Sequence, residues 1–266
     1  MWRGLYIAGS GMITETNRTA VIANNLANVN STGYKRDRAI DSEFEPMLLQ
    51  RIDDHRDGTD VTVIKRFSVG DGRPEIGTLG LGSYTNEIAV DHSQGPMQAT
   101  GNPLDLAISG EGYFAIQTPQ GVRYTRNGNF YLNQDGRLMT VNGQNVLNRT
   151  GNPIIIPQDA TRINVSEDGN IYADGQQIGA LQFVQFDDRL AVQKQGDALY
   201  YAQEGAAPQP ATGAILQGML ERSNVNVVTE MVELINNHRV YEADSKAVVT
   251  QDEMTDTAIT RVGTGS

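Results

Sequence analysis

Ala23-Asn24-Asn25-Leu26-Ala27-Asn28-Val29-Asn30-Ser31-Thr32-Gly33-Tyr34-Lys35 is where helical spacing stops and a different kind of chain begins. Asparagine and glycine accept the left-handed backbone that ends a helix, so Asn28 to Gly33 reads as a helix stop. Upstream of it, Leu5, Ala8, Met12, Glu15, Thr19, Ile22, Leu26 and Val29 recur at alternating steps of three and four, the a/d spacing of a coiled-coil seam. Six of these eight positions are apolar, so a helix from about Gly4 to Asn28 with one apolar stripe is predicted.

Downstream the signals change. Residues 34–60 are charged and irregular, with Asp53-Asp54-His55-Arg56-Asp57-Gly58 in the middle, and read as a connector or a surface hairpin. From Val61 to Tyr201 short runs of strand character follow one another: Val61–Ile64, Leu104–Ile108, Tyr113–Ile116, Phe130–Leu132, Arg162–Val165 and Leu181–Phe186. Asn127-Gly128, Asp135-Gly136, Asn142-Gly143, Asp168-Gly169 and Asp174-Gly175 lie between or beside them, and each can supply the positive-φ residues of a tight hairpin. No helix separates the strands, which describes an antiparallel domain. Ala207-Pro208-Gln209-Pro210 interrupts the rhythm as a stiff spacer. Beyond it, Leu220 to Val262 is predicted as one long helix, with Val228, Met231, Val232, Leu234, Ile235, Tyr241, Ala247, Val248, Met254, Ala258 and Ile259 on a drifting stripe.

The expected fold class is therefore α+β: N- and C-terminal helices pairing into a coiled-coil-like terminal domain, with a central antiparallel all-β domain. The expected segments are an N-terminal helix (1–35), a connector or extended hairpin (36–76), the β domain (77–203), a linker (204–219) and a C-terminal helix (220–266). A self-contained helical hairpin capping a β domain fits the same periodicity.

Composition narrows the function. There is no cysteine, which excludes disulfides, zinc–thiolate sites and a cysteine nucleophile. The net charge of −11 argues against general affinity for nucleic acid. No apolar run approaches the roughly 18 residues that a membrane span needs, so no membrane insertion is expected. The N-terminus is too weak in charge and apolar length for a secretory signal peptide; if the protein leaves the cytoplasm, it leaves by another route. Residues 1–38 carry net +3 and residues 220–262 net −4, which favours association of the two ends. Exposed pairs are worth only about 0.2–1 kcal/mol each, so burial of the apolar stripes, about 1.5–3 kcal/mol per large side chain, must dominate.

No enzymatic constellation assembles. His55, His92 and His238 stand in three separate regions without a partner carboxylate at a telling spacing. Ser10 in Gly9-Ser10-Gly11 lacks the spacing of a nucleophile elbow. Gly70 to Gly77 has the wrong glycine spacing for a phosphate loop, and Asp53 to Ile64 lacks the closing glutamate of a calcium loop. Neither cofactor nor metal is expected.

The quoted stretch closely resembles the N-terminal motif of the bacterial flagellar rod and hook proteins. Ser223-Asn224-Val225-Asn226-Val227-Val228-Thr229-Glu230-Met231-Val232, followed by Arg239-Val240-Tyr241-Glu242-Ala243 and Ser245-Lys246, resembles the signature at the family's other end. Thr100 to Phe114, then Arg123-Tyr124-Thr125-Arg126-Asn127-Gly128, is similar to the central domain of the FlgF and FlgG group of basal-body rod proteins. The resemblance implies a structural subunit of the flagellar basal-body rod, the hollow drive shaft between motor and hook. It implies export through the flagellar type III apparatus, and as partners copies of the same chain, other rod and hook proteins, and ring or bushing proteins. Residues 36–99 match neither member of the group as cleanly as the flanking motifs, and leave the position in the rod open.

Residue type then suggests roles at a subunit interface. Leu5, Met12, Ile22 and Leu26, with Met231, Leu234, Ile235, Tyr241 and Val248, would supply buried seams. Asn24, Asn25 and Asn28 share one side of a helix and offer amides that fix register. Arg239 and Glu242, three apart, could pair within the helix or with a neighbour's. The alternative function is an extracellular β-domain binding module with a helical hairpin, favoured only by the aromatic-rich stretch from Tyr113 to Tyr131.

Overall fold

The structure is a computed structural model that describes residues 2–50, 75–187, 191–196, 198–203 and 205–263. The expected strand Val61–Ile64, the acid-rich run around His55 and the turn from Gly70 to Pro74 lie outside the described residues. The chain is α+β: helix α1 (Trp2–Ala27) and helix α2 (Val227–Gly263) bracket a long succession of short strands. It divides into two compact units, each discontinuous in sequence. One comprises residues 1–21, 39–88 and 234–266, the other residues 22–38 and 89–233.

In the second unit a nine-stranded sheet runs in the order 192–196, 199–202, 121–125, 113–118, 145–146, 138–140 and 130–132, with 183–185 and 209–210 attached beside it. Its ladders are antiparallel, as the absence of crossover helices requires. A three-stranded sheet, 163–165, 170–173 and 176–180, packs with it. Their shared core holds Ile108, Phe114, Ile116, Phe130, Ile171 and Leu181. A second cluster gathers Tyr113, Tyr124, Phe186 and Tyr200, with the Tyr124 and Phe186 rings edge to face at 4.9 Å.

Four of the five expected Xaa-Gly turns join neighbouring strands. Asp174 and Gly175 both take positive φ, 49° and 88°, as a two-residue hairpin with right-handed twist demands. Asn127-Gly128 is the exception. Gly128 is needed for space: a Cβ there would overlap the carbonyl oxygen of Leu106, whose amide donates to the Gly128 carbonyl at 3.0 Å.

The C-terminal helix begins at Val227, seven residues later than Leu220. Met219–Glu221 instead pairs as a strand with Met97–Ala99, and Ala214–Gln217 with Leu106–Ser109. Gln209–Pro210, within the expected spacer, also pairs, with Phe183–Gln185. Asn226 sets the helix start by accepting from the amides of Val228 and Thr229 at 3.0 and 3.3 Å. At the other end, α1 stops one residue before Asn28, whose side-chain amide donates to the Asn24 carbonyl at 2.9 Å.

Among the described residues of the first unit, contacts between elements are both aromatic and polar: the Phe44 ring lies 6.2 Å from that of Tyr6 and 5.0 Å from that of Tyr84. Asn237 of α2 donates to the Glu15 carbonyl and the Thr19 hydroxyl of α1. Arg18 reaches Asp41 at 3.1 Å, and Thr14 donates to the Ser83 carbonyl at 3.2 Å. A Cβ on Gly11 would lie 2.7 Å from Asp244 Oδ2, so the glycine lets that carboxylate lie against α1. Met47–Gln50 and Glu75–Leu79 form an antiparallel ladder in this unit.

Gly128→Ala tests the packing directly. It should destabilise the chain by about 3 kcal/mol, as overpacking against backbone does, seen as a fall in the urea midpoint at constant m value.

Candidate functional site

In the second unit the helix-stop motif meets the segment that leads into α2, and they meet through buried charge. Gly33 takes φ +68°, and its amide donates to the Glu221 carbonyl at 2.8 Å. A side chain there would also strike the backbone of Arg126 and Asn127, so both conformation and space require glycine. This turn sends the next side chains inward.

Lys35, 1% exposed, donates from Nζ to Glu221 Oε1 and to the Ser93 carbonyl, both at 2.7 Å. Glu221 is 0% exposed and also accepts from the Gly95 amide at 2.9 Å and from Arg126 Nη1 at 3.4 Å. Arg126 donates from Nη2 to the Gly110 carbonyl at 2.8 Å and stands over the Tyr113 ring, 5.4 Å from its centroid. One carboxylate thus binds three parts of the chain: the motif after α1, the strand before α2 and the central sheet. Burial pushes the Lys35 pKa down, and the Glu221 charge opposes that shift.

A second layer lies beside the first. Tyr34 donates from its hydroxyl to Asn24 Oδ1 at 2.8 Å, with Asn25 Oδ1 at 3.2 Å and Asp37 Oδ2 at 3.3 Å as further acceptors. Lys194, from the edge strand of the nine-stranded sheet, sits 3.6 Å from the Tyr34 ring centroid and binds both Asp37 oxygens at 2.9 and 3.0 Å. Burial, reinforced by the Asp37 charge, drives the Tyr34 phenol well above its ordinary 10.0. Burial also lowers the Lys194 pKa, with Asp37 opposing.

The helices join through Asn25 and Glu230. Asn25 Nδ2 donates to Glu230 Oε2 at 3.2 Å and to the Asp37 carbonyl at 2.8 Å, and its Oδ1 accepts from the Asp37 amide at 2.9 Å. Glu230, in the first turn of α2, suits the positive end of the helix dipole. Arg36 Nε lies 2.6 Å from Glu230 Oε1, a charge contact whose angle falls short of a hydrogen bond. Its Nη2 grips both oxygens of Glu233 at 3.0 Å. The Arg36 amide donates to Asn224 Oδ1 at 2.7 Å, while Asn224 Nδ2 donates to the Asp91 carbonyl at 2.9 Å.

The residues expected at a subunit interface fall into three groups. Ile22 and Asn25 are buried within the chain, and the Asn25 amide is spent on intrachain bonds. Met12, Leu26, Asn28, Leu234, Tyr241 and Val248 are half-buried. Leu5, Asn24, Met231, Ile235, Arg239 and Glu242 are exposed. Glu242 lies 3.3 Å from His238, one helical turn earlier and next to Arg239 in sequence. Lys35, Arg126, Lys194 and Glu221 carry the junction and are not among the residues that the sequence singles out. Lys35 stood in the quoted motif, and its place behind Gly33 was the available signal.

Fold and junction together define an α+β chain in which two helical ends bracket an antiparallel β domain, with the end of α1 and the start of α2 fastened to it by buried ions. Comparison with known proteins gives the family. Residues 5–35 match the family described as "Flagella basal body rod protein", residues 107–173 "Flagellar hook protein FlgE/F/G D1 domain", and residues 216–261 "Flagellar basal body rod FlgEFG protein C-terminal". Each match contributes one member of the Lys35–Arg126–Glu221 cluster. The flagellar basal-body rod protein FlgG of Bacillus subtilis is 38% identical over 96% of this chain and 97% of its own. FlgG of Agrobacterium fabrum is 37% identical over 95% and 96%. FlgF of Caulobacter vibrioides is 34% identical over 99% of both. The chain belongs to the flagellar basal-body rod protein family, whose members reside in the flagellar basal body.

Two outcomes follow from the junction. Glu221→Gln leaves Lys35 and Arg126 facing a neutral amide, and should cost about 3–5 kcal/mol in urea unfolding, more than Lys35→Met, which leaves Glu221 its other donors. Alkaline pH should also loosen the fold. Tyr34, Tyr124 and Tyr200 all have phenols raised above 10.0, so the folded chain keeps protons that the unfolded chain loses. That stability is complete below pH 10 and declines above it, by at most about 1.4 kcal/mol per pH unit for each phenol and only until that phenol's own raised pKa is reached. The lowered lysines act in the opposite sense only up to their ordinary 10.5. Urea midpoints taken from pH 10.5 to about 12 should therefore fall less steeply in Tyr34→Phe, by one phenol's share.

Proposed function

We propose that this chain is a structural subunit of the basal-body rod, joining copies of itself and other rod and hook proteins through its terminal helices to build the hollow shaft between motor and hook. The observation that carries this reading is where the apolar side chains of the helices stand. Val228 (70% exposed), Met231 (48%), Val232 (51%) and Ile235 (54%) recur at steps of three and four along the first turns of α2. Leu5, Tyr6, Ile7 and Ile13 are exposed on α1. On the ribbon formed by Asp37–Glu43 and Ser83–Val90, Asp41 and Ser83 meet α1, while Ile40, Tyr84 and Ile88 are exposed.

A chain that spends polar groups on internal helix contacts and leaves large apolar groups in water stands to gain about 1.5–3 kcal/mol for each one a neighbour covers. An open helical assembly needs two unlike surfaces per subunit, and α1 and α2 supply faces of different composition. In this reading Leu5, Met231 and Ile235 meet neighbouring subunits, with the half-buried Met12, Leu26, Leu234, Tyr241 and Val248 completing coiled-coil-like seams. Asn24, Asn28, Arg239 and Glu242 lie at their margins. Export by the flagellar type III apparatus and contact with a surrounding ring belong to the same proposal and rest on family membership.

The test is Met231→Glu combined with Ile235→Glu, placed in cells lacking the native chain. The purified variant should unfold within about 0.5 kcal/mol of the parent, because both sites are exposed. Cells carrying it should export the chain yet be non-motile, with basal bodies that end before the hook. Motile cells with complete rods would overturn the proposal.

A further inference from the structure

The chain contains two Asn-Gly pairs in described residues, and the fold treats them in opposite ways. Asn-Gly is the dipeptide most open to a reaction within the backbone. The amide nitrogen of the glycine attacks the asparagine side-chain carbonyl, and a missing side chain on that glycine leaves its nitrogen unobstructed. Whether the reaction proceeds depends on whether the turn can bring nitrogen and carbonyl together.

At Asn127-Gly128 it cannot. Asn127 Oδ1 accepts from the Asn129 amide at 3.0 Å, and the Asn127 amide donates to Thr125 Oγ1 at 3.0 Å, which fixes the side chain within its own turn. Gly128 is buried against Leu106, and the Gly128 carbonyl holds the Leu106 amide. Moving this glycine means opening the core.

At Asn142-Gly143 the restraints are few. Both residues are exposed at the tip joining Leu138–Thr140 to Asn145–Val146. A Cβ on Gly143 would meet nothing within 4 Å, so open space surrounds it. Gly143 takes φ +78°, and its amide donates to the Thr140 carbonyl at 2.8 Å. That bond must break for attack. It lies at a solvated tip between strands of three and two residues, where local opening requires no apolar exposure from the core.

We propose that Asn142 is a site of self-modification in the folded chain, while Asn127 is protected. The Gly143 nitrogen, losing its proton to water, forms a bond to Asn142 Cγ. The Cγ–Nδ2 bond breaks and ammonia leaves, closing a five-membered succinimide. Water then adds to one of the two ring carbonyls and that carbon's bond to the Gly143 nitrogen breaks, the nitrogen regaining a proton: cleavage at Cγ gives aspartate, cleavage at the backbone carbonyl gives a β-linked isoaspartate. No oxidant or reductant is involved. The product adds one negative charge at this tip, and the β-linked form adds a backbone carbon to a turn whose flanking register is Met139 opposite Asn145.

Trypsin separates the two sites, since Arg126, Arg137 and Arg149 bracket residues 127–137 and 138–149. The full chain is incubated at mildly alkaline pH, folded and in urea, and the two peptides are followed by mass spectrometry with fragmentation to locate the amide lost. In urea both asparagines should convert at similar rates. In the folded chain Asn142 should convert at least about tenfold faster than Asn127, because only Asn127 requires core opening. Asn142→Ser should remove the change from residues 138–149 without altering the urea midpoint. Conversion of Asn127 as fast as Asn142 in the folded chain, or an Asn142 that stays intact when folded yet converts in urea, would overturn the assignment.

Discussion

The Glu221 carboxylate is out of contact with water, and the rest of the junction follows from that constraint. An ionised carboxylate taken from water into a protein interior loses several kcal/mol of solvation that only close charges and hydrogen bonds can restore. Here they come from Lys35, Arg126 and the Gly95 amide. Lys35 can arrive only if the chain turns sharply at Gly33, in a left-handed conformation where no side chain fits. That turn places Tyr34 on Asn24 and Asp37 beside Lys194, and carries Arg36 to Glu230 and Glu233 at the start of α2. A buried ion cluster of this kind confers a unique arrangement more than it confers stability. Its effect is to fix where α1 ends and α2 begins on one β unit.

The two units of the chain handle apolar surface differently. The β unit buries it conventionally, with Phe114, Ile116, Phe130 and Leu181 all nearly inaccessible. Among the described residues of the other unit, Asn237, Thr19, Arg18, Asp41, Thr14 and Ser83 make polar contacts across elements, Tyr6, Phe44 and Tyr84 make aromatic ones, and large apolar residues such as Ile13 and Ile88 stay exposed. Those exposed faces are the physical content of the proposed rod role: they are the surface that a neighbouring subunit would cover.

Much of the β unit was legible because its signals are local. Asp135-Gly136, Asn142-Gly143, Asp168-Gly169 and Asp174-Gly175 each needs only its own neighbours to form a turn, and Phe130–Leu132 is a strand with the expected bounds. The asparagine-rich stop of α1 was legible for the same reason. Met219–Glu221 was not, because its pairing partner Met97–Ala99 is more than a hundred residues away. The contacts of the candidate site were less legible. Asn25 looked like an amide for a neighbour and serves Glu230 and Asp37 within the chain. Glu221 looked like one acid among 32, and nothing in its local sequence reveals burial.

The central claim is that one buried carboxylate makes the helix-stop motif, the sheet and the start of α2 a single cooperative element. Native-state hydrogen exchange on the full chain tests it most directly. Amides of Gly33, Gly95 and Glu230, hydrogen-bonded to Glu221 or Asn226 but separated by up to nearly two hundred residues, should open with one common free energy and share one dependence on urea. Independent opening of these amides, with the Gly33 segment exchanging while Gly95 and Glu230 remain protected, would contradict the account.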